Sequence, residues 1–125
     1  MSETIYIRKT KSTSFSPKKI PREEFEKMVD NDEELVWLEN ATLIADKVKT
    51  MYAPRQVAIW EYGKTENDTL WVELNDMGTI DFGYRRRRDP ELDDIFQKIC
   101  EMAWKLGCYI EAEGGELLYD PTEDI

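Results

Sequence analysis

Paired carboxylates are the residues of this chain whose types and spacing come closest to a catalytic pattern. Glu111 and Glu113 stand two apart, which places both on one face of a strand, and Asp93 is followed directly by Asp94. Two carboxylates that flank a glycosidic bond act as general acid and general base in sugar cleavage. Solvated surface charge explains the same spacing, and nothing else in the sequence indicates a sugar cleft. We therefore predict that the chain is not an enzyme and has no catalytic residues.

Histidine is absent from the 125 residues. Its absence excludes Ser–His and Cys–His nucleophilic catalysis and removes the most frequent zinc ligand. Cys100 and Cys108 alone cannot complete a structural zinc site. We expect both to be buried thiols, with a disulfide between them as the less favoured alternative. The acidic stretch 30–34 lacks the glycine and the terminal glutamate of a calcium loop. No cofactor and no metal is predicted.

The charge balance indicates which partners the chain favours. A net charge of -10 repels nucleic acid and anionic membranes and favours basic partners, so neither nucleic acid nor membrane is predicted as a partner. One basic run, Arg85 to Arg88, stands apart from this balance. It fits either a site that binds a phosphate or another anionic group, or a solvated connection between strand and helix. In the second case its charges offset those of the acidic residues that follow.

Carboxylates concentrate in two further places. One set follows the last predicted helix, on and around a Gly-Gly turn, and the other lies in and after the first predicted helix. Toxins that cut nucleic acids have basic active-site grooves, and clustered carboxylates can be steered onto such a groove and occupy it. With one aromatic anchor, the predicted partner-binding residues are Glu111, Glu113, Glu116, Asp120, Glu33, Glu34 and Trp37.

The first half of the chain holds a strand, a helix and an ambiguous segment. Residues 4–9 alternate apolar and polar side chains, as a half-buried strand does. Pro21 suits the first position of a helix over about 21–30, with glutamates in its first turn and an apolar stripe behind them. Residues 35–56 fit a helix or an extended segment about equally well, and we leave that choice open.

The second half predicts strands and one long helix. Alternation over 57–62, 70–74 and 80–84 predicts a three-stranded antiparallel meander with one apolar face. Asp89 is expected to cap a helix over about 90–106 that covers this face and ends at Gly107, before a strand pair. The fold class is therefore α+β: one two-layer domain over residues 1–125, with a mostly antiparallel sheet covered on one face by both helices. Residues 121–125 are expected to fray.

Two stretches carry a resemblance to a known family. Residues 20–25 and 29–35 are similar to an opening helix of the form I-S/T-x-x-E-W-x-x-x-V that leads to D-P-E-L. Residues 103–108, then 113–116 and Tyr119, resemble the closing pattern A-x-x-L-G-A followed by a G-D-D-G-E turn and an aromatic residue. The chain departs from it in several places, with Phe25 for the helix tryptophan and Asn31 for the proline. The family comprises small bacterial proteins, several of which look like immunity proteins of polymorphic or contact-dependent toxin systems.

The resemblance implies a cytoplasmic protein that binds and blocks a cognate toxin, with a basic nuclease domain as one candidate. It implies no cofactor and no reaction. The alternative is a non-enzymatic interaction or adaptor module, such as a chaperone for a secreted effector. The sequence itself has no leader-like segment and no apolar run of the roughly 20 residues that span a bilayer, which also favours the cytoplasm.

Overall fold

Residues 3–44, 46–84 and 93–122 are described in a computed structural model of the chain. Seven strands and two longer helices follow one another in these ranges. The strands are β1 (Glu3–Arg8), β2 (Leu35–Trp37), β3 (Val57–Glu61), β4 (Thr69–Glu73), β5 (Ile80–Tyr84), β6 (Tyr109–Ala112) and β7 (Leu117–Tyr119). The helices are α1 (Arg22–Asp30), the four-residue α2 (Asp46–Lys49) and α3 (Asp94–Leu106), with a 3-10 turn at Leu38–Asn40. The predicted α+β class is confirmed.

The strands form two antiparallel sheets, so the prediction of one sheet is wrong. The larger sheet has the order β5-β1-β6-β7, and the smaller has the order β2-β3-β4. β3 and β4 pair as expected, but β5 does not continue the meander and instead pairs along β1. A single bridge between Leu74 and Ile80 still joins the neighbouring sheets.

Cross-strand apolar pairs explain why β5 lies beside β1. The register places Phe82 opposite Ile5 and Ile80 opposite Ile7, and all four side chains are buried. On the other side of β1, Ile110 lies opposite Ile7. Apolar pairs directly across an antiparallel sheet stabilise it. The main core lies on this face, beneath α1 and α3.

Helix α3 begins later than predicted, because Asp93 and not Asp89 is its N-cap. The Asp93 carboxylate accepts a hydrogen bond from the Phe96 N–H at 3.0 Å, which satisfies one open donor of the first turn. Gly107 ends the helix in the left-handed region at φ 65°, as the sequence indicated. Its buried face consists of Ile99, Met102, Ala103 and Leu106. The predicted helical residues 90–92 lie outside the described ranges, as do Asp89, Arg85 to Arg88 and residues 123–125.

The ambiguous segment 35–56 closes a second, smaller core. It forms β2, the 3-10 turn and α2 in succession, so neither a single helix nor a single extended segment is present. Leu38, Ala41 and Ile44 pack against Val57 and Ile59 on the face of β3 that points away from the main core. β3 is therefore buried on both faces, which the predicted meander with one apolar face did not allow for.

Candidate interaction surface

A buried lysine organises the charged surface between α3 and the start of β2. Lys98 lies on α3 with only 3% of its side chain exposed. Its Nζ contacts the Asp32 carboxylate at 2.8 Å and the Glu34 carboxylate at 2.8 Å. Glu101 lies 3.5 Å from the same ammonium group. A buried ammonium group is tolerated only where anionic acceptors replace its water shell, and here three carboxylates do so.

Asp32 is the buried partner in this network. Its Oδ1 accepts hydrogen bonds from the N–H groups of Glu34 at 2.8 Å and Leu35 at 3.1 Å, which fixes the entry into β2. Burial raises the pKa of Asp32, but the hydrogen bonds from Lys98 and from these N–H groups outweigh it, so the pKa lies below its ordinary value. Burial likewise lowers the pKa of Lys98, and the bonds to Asp32 and Glu34 more than reverse that effect. Both groups are charged at neutral pH.

The outer carboxylates of the network face solvent beside two aromatic rings. The side chains of Glu34 and Glu101 are 52% and 44% exposed, although each also contacts Lys98. Trp60 at the end of β3 lies under the Lys98 ammonium group, 5.8 Å from its ring centre, and Tyr62 packs 5.2 Å from Trp60. We call this surface the acidic face. Its members are Glu33, Glu34, Trp60, Tyr62, Asp94 and Glu101.

Two shallow hollows meet on the acidic face. The first is lined by α3 residues including Asp94 and Glu101, and the second by Glu33 and Glu61, while Glu34 and Trp60 line both. The wall of the second hollow is fixed by Glu61, whose carboxylate accepts hydrogen bonds from the Thr42 and Leu43 N–H groups. Burial raises the pKa of Glu61, but the hydrogen bonds from Thr42 and Leu43 outweigh that effect. The pKa of Glu61 therefore lies below its ordinary value. The face thus presents fixed negative charge in a concave setting.

The structure separates the predicted hairpin residues. Glu113 and Glu116 are exposed at the β6–β7 turn. Glu111 is 4% exposed and accepts hydrogen bonds from the Ser12 N–H and Oγ, each at 3.0 Å. Asp120 follows the three-residue β7, roughly 10 Å along the strand from the turn. The four carboxylates do not form one exposed patch, because one is buried and one lies at the other end of the strand.

Trp37 is also interior. Only 6% of this residue is exposed, its ring meets Phe25 edge-on at 6.0 Å, and its Nε1 donates to Asp30 at 2.9 Å. The Arg55 guanidinium covers it at 4.6 Å from the ring centre. As a core residue, Trp37 does not offer an aromatic anchor at the surface. Of the predicted set, only Glu33 and Glu34 lie on the acidic face.

Sequence reasoning missed Lys98, and it did not place Asp94 and Glu101 on a surface with Glu33 and Glu34. One signal was available: Lys98 stands three residues after Ile95 and four before Met102, inside the apolar stripe of α3. A lysine at such a position predicts a buried ion pair. Its partner Asp32 was 66 positions away, and no local pattern identified it.

No family model, curated protein or solved structure matches the chain. The resemblance to toxin-associated immunity proteins therefore stays a prediction. Within the described ranges, no three cysteine or acidic side chains lie close enough together to hold a metal ion. No helix in the same ranges has the length and apolar character needed to cross a membrane. Both cysteines are free thiols, Cys108 buried and Cys100 partly so, and burial raises the pKa of each to about 11.

Proposed function

We propose that this chain is an immunity protein that binds a cationic surface of a cognate bacterial toxin with its acidic face. The observation that carries the proposal is the pair of exposed carboxylates of Glu34 and Glu101, held in place by the buried Lys98 beside Trp60. Carboxylates that are already fixed lose little conformational entropy when they pair with a partner's arginine or lysine. Binding, with no bond made or broken, is the whole of the proposed activity.

Charge and aromatic residues have separate roles in the proposal. The net charge of -10 accelerates the approach of a basic partner, and the exposed carboxylates orient it. Trp60 and Tyr62 then supply contact area at the centre of the face, where aromatic residues contribute most to binding. A nuclease domain with a basic substrate groove suits this chemistry, and the site of action would be the cytoplasm.

Co-expression tests the proposal directly. The chain is expressed together with the toxin encoded beside its gene, and the pair is analysed by size-exclusion chromatography with light scattering. We expect a stable one-to-one complex and survival of cells that otherwise die from the toxin. A complex without survival would support an adaptor or effector chaperone instead. Absence of any complex with a neighbouring toxin would contradict both.

A further inference from the structure

The loop between β1 and α1 projects from the sheet and is held by side-chain hydrogen bonds. We call it the basic loop (residues 9–19). Its two ends are closed by a hydrogen bond from the Lys18 N–H to Thr10 Oγ1 at 3.1 Å. Near its start, Ser12 is fastened to the buried Glu111 by both its N–H and its hydroxyl group. A loop with closed ends and an interior anchor holds its tip in a defined place.

Apolar side chains project from this loop and from the adjoining turn. Phe15 at the loop tip is fully exposed. Met77, in the turn between β4 and β5, is 77% exposed and lines one hollow together with Pro17 and Lys18. The two segments are joined by a hydrogen bond from the Ile20 N–H to the Gly78 carbonyl at 2.9 Å. Phe15 and Met77 are thus large apolar side chains that two joined turns present to solvent.

Exposed lysines lie near these side chains, together with Asp76 and Asp81 on the Met77 side. The sequence has no carboxylate between Glu3 and Glu23, and the cations of this stretch are Arg8, Lys9, Lys11, Lys18, Lys19 and Arg22. Arg8, Lys9 and Arg22 pair with Glu111, Glu24 and Glu26 respectively, whereas Lys18 and Lys19 are exposed. The basic loop therefore presents Lys18 and Lys19 to solvent.

Helix α3 separates the basic loop from the acidic face. Lys9 reaches the C-terminal end of α3 through the Leu106 carbonyl at 3.0 Å, while Asp94 and Lys98 lie in its first turns. Glu101, the member of the acidic face nearest to that end, lies five residues before Leu106, about 7.5 Å along the helix at 1.5 Å per residue.

We infer that the basic loop docks on an anionic phospholipid surface, with Phe15 and Met77 entering the headgroup region. Lys18 and Lys19 would pair with lipid phosphates around them. Projecting apolar side chains near exposed lysines suit a deformable anionic interface. Nucleic acid is disfavoured, because the nearby rings of Tyr6 and Tyr109 are already covered by Arg8 and Lys11 at 4.4 and 5.4 Å. The inference goes beyond toxin binding and replaces the expectation that no membrane is involved.

Vesicle flotation with the full chain tests this inference. We expect the protein to float with vesicles of equal parts phosphatidylglycerol and phosphatidylcholine at low salt, and not with phosphatidylcholine alone. Phe15→Ser should abolish most of the binding. Lys18→Glu should weaken it at least about fivefold, since each basic residue near an anionic surface contributes roughly 1 kcal/mol.

Two matched controls test whether vesicle binding depends on the basic loop or on any exposed apolar or basic side chain. Met51→Ser removes another exposed apolar side chain, and Lys64→Glu reverses another exposed lysine, both outside the basic loop. Neither control should change flotation. A wild-type chain that stays in the soluble fraction at low salt would overturn the inference. So would binding that survives Phe15→Ser and Lys18→Glu together, since it would then come from elsewhere in the chain, such as Arg85 to Arg88.

Discussion

The contact between Lys98 and Asp32 is the strongest single constraint on the acidic face. Their side chains are 3% and 2% exposed, and they join the second turn of α3 to the residues just before β2. Lys105, two turns further along α3, reaches the same carboxylate at 3.3 Å. Removing one member of such a pair leaves an uncompensated buried charge, which is more destructive than removing both.

A double-mutant cycle measures this coupling. Asp32→Asn should lower the free energy of unfolding by about 3–5 kcal/mol, because it leaves the Lys98 ammonium group buried without its main counter-charge. Lys98→Met should cost less, since the N–H groups of Glu34 and Leu35 still satisfy the Asp32 carboxylate. Urea unfolding of the double variant should show a cost smaller than the sum of the two. An additive result would mean that the two groups do not interact.

The pH dependence of stability follows from the same pair. Because the pKa of Asp32 is lowered in the folded state, its contribution is present above the unfolded value of 3.8 and is lost as pH falls through the lower folded value. The pKa of Lys98 is raised, so its contribution holds below 10.5 and is lost as pH rises through the higher folded value. Stability of the wild-type chain relative to the double variant should therefore fall at both ends of this range and not between them.

At the scale of elements, α3 holds the acidic face against the main core. Its N-terminal end has two adjacent aspartates with different environments: Asp93 is buried and caps the helix, whereas Asp94 is exposed. Asp93→Ala should lower the free energy of unfolding by about 1 kcal/mol, the usual cost of losing a side-chain cap. Asp94→Ala, the matched control, should cost only a few tenths, through its interaction with the helix dipole. Equal losses in thermal unfolding would argue against the cap.

The elements also show how far local pattern reaches. Both ends of α1, the C-terminal end of α3 and the two hairpins were predicted closely, because capping residues, turn glycines and apolar periodicity act within a few residues. The partner of β5 was not predicted. The apolar alternation that includes Ile80 and Phe82 fits pairing with β4 and pairing with β1 equally well. Residues 38–44 resisted prediction for a related reason: Leu38, Ala41 and Ile44 are buried only because β3 exposes a second apolar face to them.

The acidic face itself was only half predictable. Glu33 and Glu34 stand in an acidic run that any charge count finds. Glu111 belongs to a run of similar appearance, yet the structure places it beneath Ser12, because β6 lies in the interior of the larger sheet. Charge density along a chain does not distinguish a solvated carboxylate from one that anchors a loop. That distinction depends on contacts between distant segments.

At the scale of the whole molecule, the described residues include two surfaces, each with its own proposed partner. The acidic face offers fixed carboxylates beside Trp60, and the basic loop offers lysines near Phe15. Two exposed acidic surfaces compete for the role of toxin contact: the acidic face and the β6–β7 turn. Conservative variants can separate them, because glutamine keeps the hydrogen bonds that Glu34 accepts from Lys98 and that Glu113 accepts from the Thr4 N–H.

The most direct measurement is protection of cells from the cognate toxin by two matched double variants. Glu33→Lys with Glu34→Gln alters the acidic face, and Glu116→Lys with Glu113→Gln changes the net charge equally at the turn. We expect the first variant to lose protection and to associate with the toxin at least about tenfold more slowly at low salt, since exposed charges govern the rate of encounter. The second should protect like the wild type. Full protection by the first variant, with its thermal stability unchanged, would contradict the account.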